Sequence, residues 1–299
     1  MTVAVIDLGT NTFHLLIAER HGNSFTEIYR ERKFIKLGEH SADFIGPEAF
    51  QRGLNVMQEY HEICKNYKVE NIYAIGTAML RNAINSPSFL EAVSMATDIQ
   101  IQVINGLEEA RLIFKGVLAS GLLSANNDLL MDIGGGSVEF IFSKNKNPEW
   151  FESIDIGVSM LKHRFPVDNN FSTEDIVNLE NYLDFKLDPI YEKLNGIEQL
   201  NLVGISGTFD VIRDHFLVEK KLARDAEFIL LPEDIYAFCS EVIPLSLEAK
   251  LNHPSIPDSR ADLISYALIL VKKVVKQLFC NSLKVSQYSI KEGKLTDLV

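Results

Sequence analysis

Two stretches of this sequence share one chemistry-bearing pattern. Val5 to Ile17 reads VIDLGTNTFHLLI, and Leu130 to Phe142 reads LMDIGGGSVEFIF. In alignment Asp7 falls on Asp132, Leu8 on Ile133, Gly9 on Gly134, Thr12 on Ser137 and His14 on Glu139. Each copy is an apolar strand, an aspartate, a glycine-rich turn with hydroxyls, and an alternating strand. Glycines let backbone N–H groups approach an anion with no Cβ in the way. Successive N–H groups in a turn form a small anion-binding concavity. Gly9, Thr10, Asn11 and Thr12 in one turn, and Gly134, Gly135, Gly136 and Ser137 in the other, are therefore candidate phosphate-binding residues. Asp7 and Asp132 stand at strand ends, where a carboxylate can hold a magnesium ion through water. A carboxylate beside phosphate repels it unless a cation lies between them. The plain alternative for either turn is a β-hairpin with Gly and Asn at positive φ. Two copies in register favour the ligand reading. A dinucleotide-binding loop requires a helix after the turn, and here a strand follows; a P-loop requires Gly-Lys-Ser/Thr, which is missing.

A second group of candidates lies at the start of a helix. Val103 to Arg111 (VINGLEEAR) leaves a strand and enters helical sequence. Asn105 suits the N-cap, and Glu108 three residues later has capping-box spacing. Capping and compensation of the helix dipole account for Glu108. Glu109 points about 100° further round the helix and is open to another role, that of a base taking a proton from water. Ala74 to Arg81 (AIGTAMLR) leaves another strand, and Arg81 is either a bidentate phosphate ligand or a surface arginine. Lys33, Lys36, Arg111 and Arg260 are weaker candidates for substrate contact. His14 is either half-buried and satisfied or a metal ligand.

These groups need a scaffold, and 299 residues suffice for two domains. Apolar residues make up 46% of the chain and charged residues 23%, a composition that can bury ordinary cores. The net charge of −12 argues against DNA or other broad nucleic-acid binding, and positive charge for an anionic substrate has to be gathered locally. No apolar run is long enough to span a membrane, and the first residues lack a signal-peptide pattern, so a cytoplasmic protein is expected. Cys64, Cys239 and Cys280 are widely spaced and read as buried, reduced thiols.

Strand patterns lie at Val3–Ile6, Thr12–Ala18, Phe25–Arg32, Ile72–Ile75, Ile99–Ile104, Leu129–Asp132, Val138–Ser143, Leu200–Ile205 and Val285–Tyr288. Helices are expected from Pro47, over Ser86–Ala96, Gly106–Leu118, Thr173–Leu194, Pro232–Val242 and Arg260–Phe279, with a short polar one at the end. The pattern is α/β. A repeat 125 residues apart suggests duplicated lobes with a ligand cleft between them. The boundary falls in the small, polar Ser120–Asn127, giving lobes 1–124 and 125–289, with the C-terminal helix 290–299 a candidate to join the first. The apolar helix Leu263–Leu278 is expected to pack internally, the alternative being a homodimer face.

The motifs resemble those of the exopolyphosphatase / guanosine pentaphosphate phosphatase family. The matching segments are Asp7–His14, Gly76–Ala83, Asn105–Leu112 and Asp132–Glu139, followed by Ile156-Gly157, Gly204–Thr208 and Arg260-Ala-Asp262. They occur in the family's order over nearly the whole chain. The resemblance implies two actin-like (ribonuclease H-like, ASKHA) lobes, each with a five-stranded sheet. It implies that Glu109 is the catalytic glutamate and Arg81 the phosphate-contacting arginine, and that Asp132 and Glu139 are the magnesium-linked carboxylates. Magnesium, with manganese as a substitute, is the implied cofactor, and no organic cofactor is expected. Ending after Gly293-Lys-Leu-Thr-Asp, the chain resembles the family's short two-lobe members.

Three departures stand out. Val138 replaces a hydroxyl, Gly204-Ile-Ser-Gly-Thr208 is bulkier than usual, and Phe209-Asp210 follows where small residues are common. A bulky Phe209 and an anionic Asp210 are expected to hinder a guanosine. Inorganic polyphosphate is therefore the expected partner, with a guanosine polyphosphate second. The expected reaction is direct transfer of the terminal phosphoryl group to water. A kinase of the same superfold and a non-catalytic phosphate or nucleotide sensor are the rival readings.

Overall fold

The computed structural model describes residues 1–22, 24–223 and 226–299. In chain order the elements are β1 (Thr2–Leu8), β2 (Thr12–His21), β3 (Ser24–Phe34), α1 (Pro47–Asn66), β4 (Asn71–Gly76), α2 (Ala78–Asn82), α3 (Ser86–Thr97), β5 (Ile101–Val103) and α4 (Gly106–Ser120). There follow β6 (Asn127–Ile133), β7 (Val138–Lys144), β8 (Asn147–Ile154), α5 (Val158–Arg164), α6 (Thr173–Lys193), β9 (Leu200–Ile205), α7 (Gly207–Glu219), α8 (Pro232–Val242), α9 (Leu247–Leu251), α10 (Ile264–Gln277), β10 (Ser282–Ser286) and α11 (Ile290–Thr296).

The internal repeat reappears as topology. One sheet has the order β3-β2-β1-β4-β5, and the other, read from its far end, β8-β7-β6-β9-β10. In both, the first three strands are antiparallel and the last two join in parallel. The chain is thus α/β with two like five-stranded sheets. It divides into two compact units, one of Met1–Ala119, Gly134–Ser137 and Tyr288–Val299, the other of Ser120–Ile133 and Val138–Gln287.

In the first unit, α1 buries Ala49, Gly53, Val56, Met57, Tyr60 and Cys64, a helical stripe laid on Ile6, Leu8, Phe13, Leu15 and Ile17 of the sheet. The Tyr60 hydroxyl donates to the Phe13 carbonyl at 3.0 Å, so its one polar atom is satisfied inside the core. In the second unit α10 is buried from Ile264 to Val271. It packs within that unit's core, in agreement with internal packing.

Some strand positions differ from the sequence pattern, for physical reasons. β8 is missing from that pattern, because Pro148 and two glutamates disguise it. It is an edge strand, and Pro148 sits where the ladder with β7 shifts register, a place that tolerates a missing N–H. β10 occupies Ser282–Ser286 rather than Val285–Tyr288. Its partner β9 ends at Ile205, opposite Ser286, so no ladder remains beyond it. A short 3₁₀ turn at Asp258–Arg260 precedes α10, which starts at Ile264 rather than Arg260.

The last helix is tied into the first unit. Glu292 accepts from the Ser289 N–H at 2.8 Å and from Arg30 of β3 at 2.6 Å. Burial alone would raise its carboxyl, but Lys291, Arg30 and the Ser289 N–H outweigh it and hold it below the usual range. Arg111 of α4 donates to Asp297 at 2.6 and 3.2 Å, and Lys115 binds the same carboxylate. Among the described residues no helix is long and apolar enough to cross a membrane.

Two outcomes follow from this packing. The Arg111 hydrogen bonds first, with Lys115, hold Asp297 at about 2 against an ordinary 3.8. A lowered carboxylate stabilises the fold above its unfolded value and loses that contribution as pH falls through the folded one. The melting-temperature gap between wild type and Asp297→Asn should therefore be full at neutral pH and close as pH falls from 3.8 to about 2. Burial pushes the thiols of Cys64, Cys239 and Cys280 up to about 12. At pH near 8 none should react with a disulfide reagent in the folded protein, and all three should react in denaturant.

Candidate active site

The two glycine turns are built alike. Leu8 pairs with Phe13 and Ile133 with Val138, leaving four residues in each connection. Each is closed by one backbone bond, Gly9 N–H to Thr12 O and Gly134 N–H to Ser137 O, both at 3.0 Å. Neither turn contains a left-handed residue; the positive-φ residues lie elsewhere. The turns are hairpins, but not of the Asn-Gly type, and conformational freedom is not why glycine is present.

Space is the reason. A Cβ on Gly135 would lie 2.6 Å from Asn11 Nδ2 and 2.8 Å from Thr10 Cβ. A Cβ on Gly136 would lie 2.7 Å from Ala78 Cβ. The second turn thus meets the first turn and the start of α2, all within the first unit. The carbonyls of the first turn are engaged: Leu37 N–H donates to Thr10 O, and Ile35 and Lys36 N–H donate to Asn11 O. Lys36 adopts φ 52° to do so. Thr10, Thr12 and Ser137 are all buried at this junction.

Arg81 and Glu109 lie together. α2 places Arg81 one turn after Ala78, and α4 places Glu109 in its first turn. Arg81 Nη1 donates to Glu109 Oε2 at 3.2 Å and to the Ile104 carbonyl at 2.9 Å. These are the only protein partners of the Arg81 side chain among the described residues, so its Nε and Nη2 donors remain for a ligand. That edge of a guanidinium matches two oxygens of one phosphate. Glu109 is only 9% exposed, and it forms an ion pair with the Arg81 guanidinium at 3.2 Å.

The helix cap separates the two glutamates in part as the spacing suggests. Asn105 Oδ1 accepts from the Glu108 N–H at 2.9 Å. The Glu108 carboxylate does not return the bond to Asn105; Arg111 takes both its oxygens at 2.7 Å. Arg111 thus lies between Glu108 and Asp297 and is a structural cation. Lys33 is likewise paired, with Glu59 at 2.7 Å.

Behind each turn the strands pair side chains in register. Asp132 faces Glu139 across β6 and β7, and Asp7 faces His14, with Arg32 opposite His14 on β3. Asp132 and Glu139 are 6% and 1% exposed, and Ser153 Oγ donates to Glu139 at 2.7 Å. Two buried carboxylates directly opposite each other repel, and a cation relieves this. No three His, Cys, Asp or Glu side chains are grouped as a metal cage among the described residues. Two carboxylates nevertheless fit magnesium, which keeps several waters and takes its remaining ligands from phosphate oxygens.

The segment after β9 corrects one expectation. Phe209 is fully buried, and its ring fills the space where Gly204 would carry a Cβ, 2.1 Å away. It is core of the second unit and presents no bulk to a ligand there, so it cannot hinder a guanosine. Val138 is likewise buried in the second unit's core. Arg260 lies over Gly207, where a Cβ would fall 1.6 Å from Nη2. Sequence reasoning missed Ser206, which takes φ 71° and ψ −179° at the start of α7, a region nearly reserved for glycine. Its place between a buried strand and Gly207 was the available signal.

The chain is similar to known proteins over most of its length. Residues 16–299 match the model of the Ppx/GppA phosphatase family. The chain is 34% identical over 220 residues to a bifunctional 3-dehydroquinate synthase/phosphatase of Fusobacterium nucleatum, a match covering 69% of this chain and 32% of that protein. It is 28% identical over 308 residues to a guanosine-5'-triphosphate,3'-diphosphate pyrophosphatase of Vibrio atlanticus, covering 99% of this chain and 59% of that one. It therefore spans less than two thirds of the length of either relative. The crystal structure of an exopolyphosphatase from Cytophaga hutchinsonii superposes with a TM-score of 0.95 at 31% identity, over 100% of this chain and 99% of that one. With the family's pattern covering nearly the whole chain, this protein belongs to the Ppx/GppA phosphatase family, enzymes that hydrolyse phosphoric anhydrides.

Proposed function

We propose that this phosphatase is an exopolyphosphatase, removing the terminal phosphate of inorganic polyphosphate by direct attack of water. The observation that carries the reading is the Arg81–Glu109 pair, a buried carboxylate neutralised by a guanidinium whose second edge is open. Phosphoryl transfer needs positioning and charge stabilisation more than covalent chemistry. The two glycine turns supply close backbone and hydroxyl donors, and Arg81 binds non-bridging oxygens through Nε and Nη2. Glu109 orients the water and takes its proton as the oxygen bonds to phosphorus. The shortened chain leaves with the electron pair of the broken P–O bond.

Asp132 and Glu139, one residue pair behind the second turn, would hold magnesium, with Asp7 in the equivalent place behind the first. When bound, magnesium would neutralise phosphate oxygens as negative charge develops. The protein's net charge of −12 gives a polyanion no general attraction, so recognition must come from such local groups.

The second reading is hydrolysis of guanosine pentaphosphate by the same residues. It gains from the burial of Phe209, which removes a steric objection to a nucleoside. The exopolyphosphatase reading gains from the likeness to the Cytophaga hutchinsonii structure over essentially all of both chains.

Phosphate release by the purified protein in magnesium decides between them. Release from long polyphosphate should be faster than from guanosine pentaphosphate, and should shorten chains from their ends. A faster rate on the nucleotide would move the assignment to that substrate. Tight binding of both with no release would make the protein a sensor. ATP consumption that depends on a small-molecule acceptor would make it a kinase.

A further inference from the structure

We infer that the C-terminal helix α11 is a positioning element for Glu109, setting the place of α4 through a glycine–glycine backbone contact and the Asp297 ion pairs. The inference rests on Glu109 being the base. α4 follows β5, a strand of only three residues. Its first turn is held by the Asn105 cap and by Arg81, which bonds both Glu109 and the Ile104 carbonyl. Further along, α4 buries Leu112, Ile113, Phe114 and Val117 and makes direct backbone contact with α11.

The contact is reciprocal and leaves no room for a side chain. A Cβ on Gly116 of α4 would lie 2.1 Å from the Ser289 carbonyl oxygen. A Cβ on Gly293 of α11 would lie 1.8 Å from the Leu112 carbonyl oxygen. Both obstacles are backbone, so a methyl group at either position forces the helices apart. Leu112 is three residues past Glu109, within the same turn of helix. A shift at Leu112 therefore reaches Glu109 through the helix's own hydrogen-bond ladder.

Charge adds a second tie. Asp297 caps the C-terminal end of α11, where the helix dipole disfavours an anion. α4 offsets this by presenting Arg111 and Lys115 to the same carboxylate. The third tie fixes α11 itself, since Glu292 is held by Arg30 of β3. α11 thus connects an edge strand of the first sheet to the helix that carries Glu109.

The test uses Gly293→Ala and Asp297→Asn in the full chain, alone and combined with Glu109→Gln. Misplacing a catalytic group by about 1 Å can cost about 10²-fold in rate. Gly293→Ala should therefore lower kcat by about 10²-fold and leave KM within about twofold. Asp297→Asn, which leaves the glycine contact intact, should lower kcat by less, in the same direction. In the Glu109→Gln background neither change should reduce the residual rate further, because no base is left to misplace. A folded Gly293→Ala enzyme with normal kcat would overturn the inference, as would a further loss of equal size in the Glu109→Gln background. If Gly293→Ala does not fold, an unchanged kcat in Asp297→Asn overturns it. Near-normal release by Glu109→Gln alone would instead sink the catalytic reading, so the two failures are distinguishable.

Discussion

Close approach of backbone to backbone is the constraint on which the rest depends. A main chain presents clustered N–H groups to phosphate only where Cβ atoms are kept out. At Gly135 and Gly136 the missing side chain is a matter of tenths of an ångström, set by Thr10, Asn11 and Ala78. The same device recurs at Gly116 and Gly293, where two helices touch through their backbones. The fold places the glycine turns and the helix that carries Glu109 by omitting side chains at these points. The duplicated strand order carries the same turn to the same place in each sheet.

Electrostatics then decides what the cramped junction can hold. A phosphatase with a net charge of −12 offers an anion positive charge only where it is gathered locally, and several of its carboxylates are paired. Glu109 is neutralised by Arg81, Glu108 by Arg111, and Asp297 by Arg111 and Lys115. Glu292 is buried against Arg30. Asp132 and Glu139 face each other across β6 and β7, both buried, and the Ser153 hydroxyl donates to Glu139. That pair is where a cation has most to gain.

Much of this was legible in the sequence, because repeats and local chemistry survive folding. The repeat that aligns Asp7 with Asp132 and His14 with Glu139 reappears in the structure, where Asp7 pairs with His14 and Asp132 with Glu139, each one pair back from the pair that flanks a four-residue turn. Asn105 was recognisable as a cap because N-capping is local. Long-range facts were not legible. Nothing local shows that Arg111 binds a carboxylate 186 residues away, or that Gly293 touches Leu112. Phe209 looked like an obstruction because the sequence does not show Gly204 making room for it. β8 was hidden because an edge strand tolerates the proline and charges that disqualify a central one.

The central claim is that Glu109 is the base. It is tested most directly by magnesium-dependent phosphate release from polyphosphate by Glu109→Gln, with melting temperature measured alongside. A glutamine keeps the shape and can still accept from Arg81, but it cannot take a proton from water. The predicted result is a folded protein with turnover reduced by about 10²–10⁴-fold, the usual worth of a positioned base. A folded Glu109→Gln protein releasing phosphate at close to the wild-type rate would contradict it.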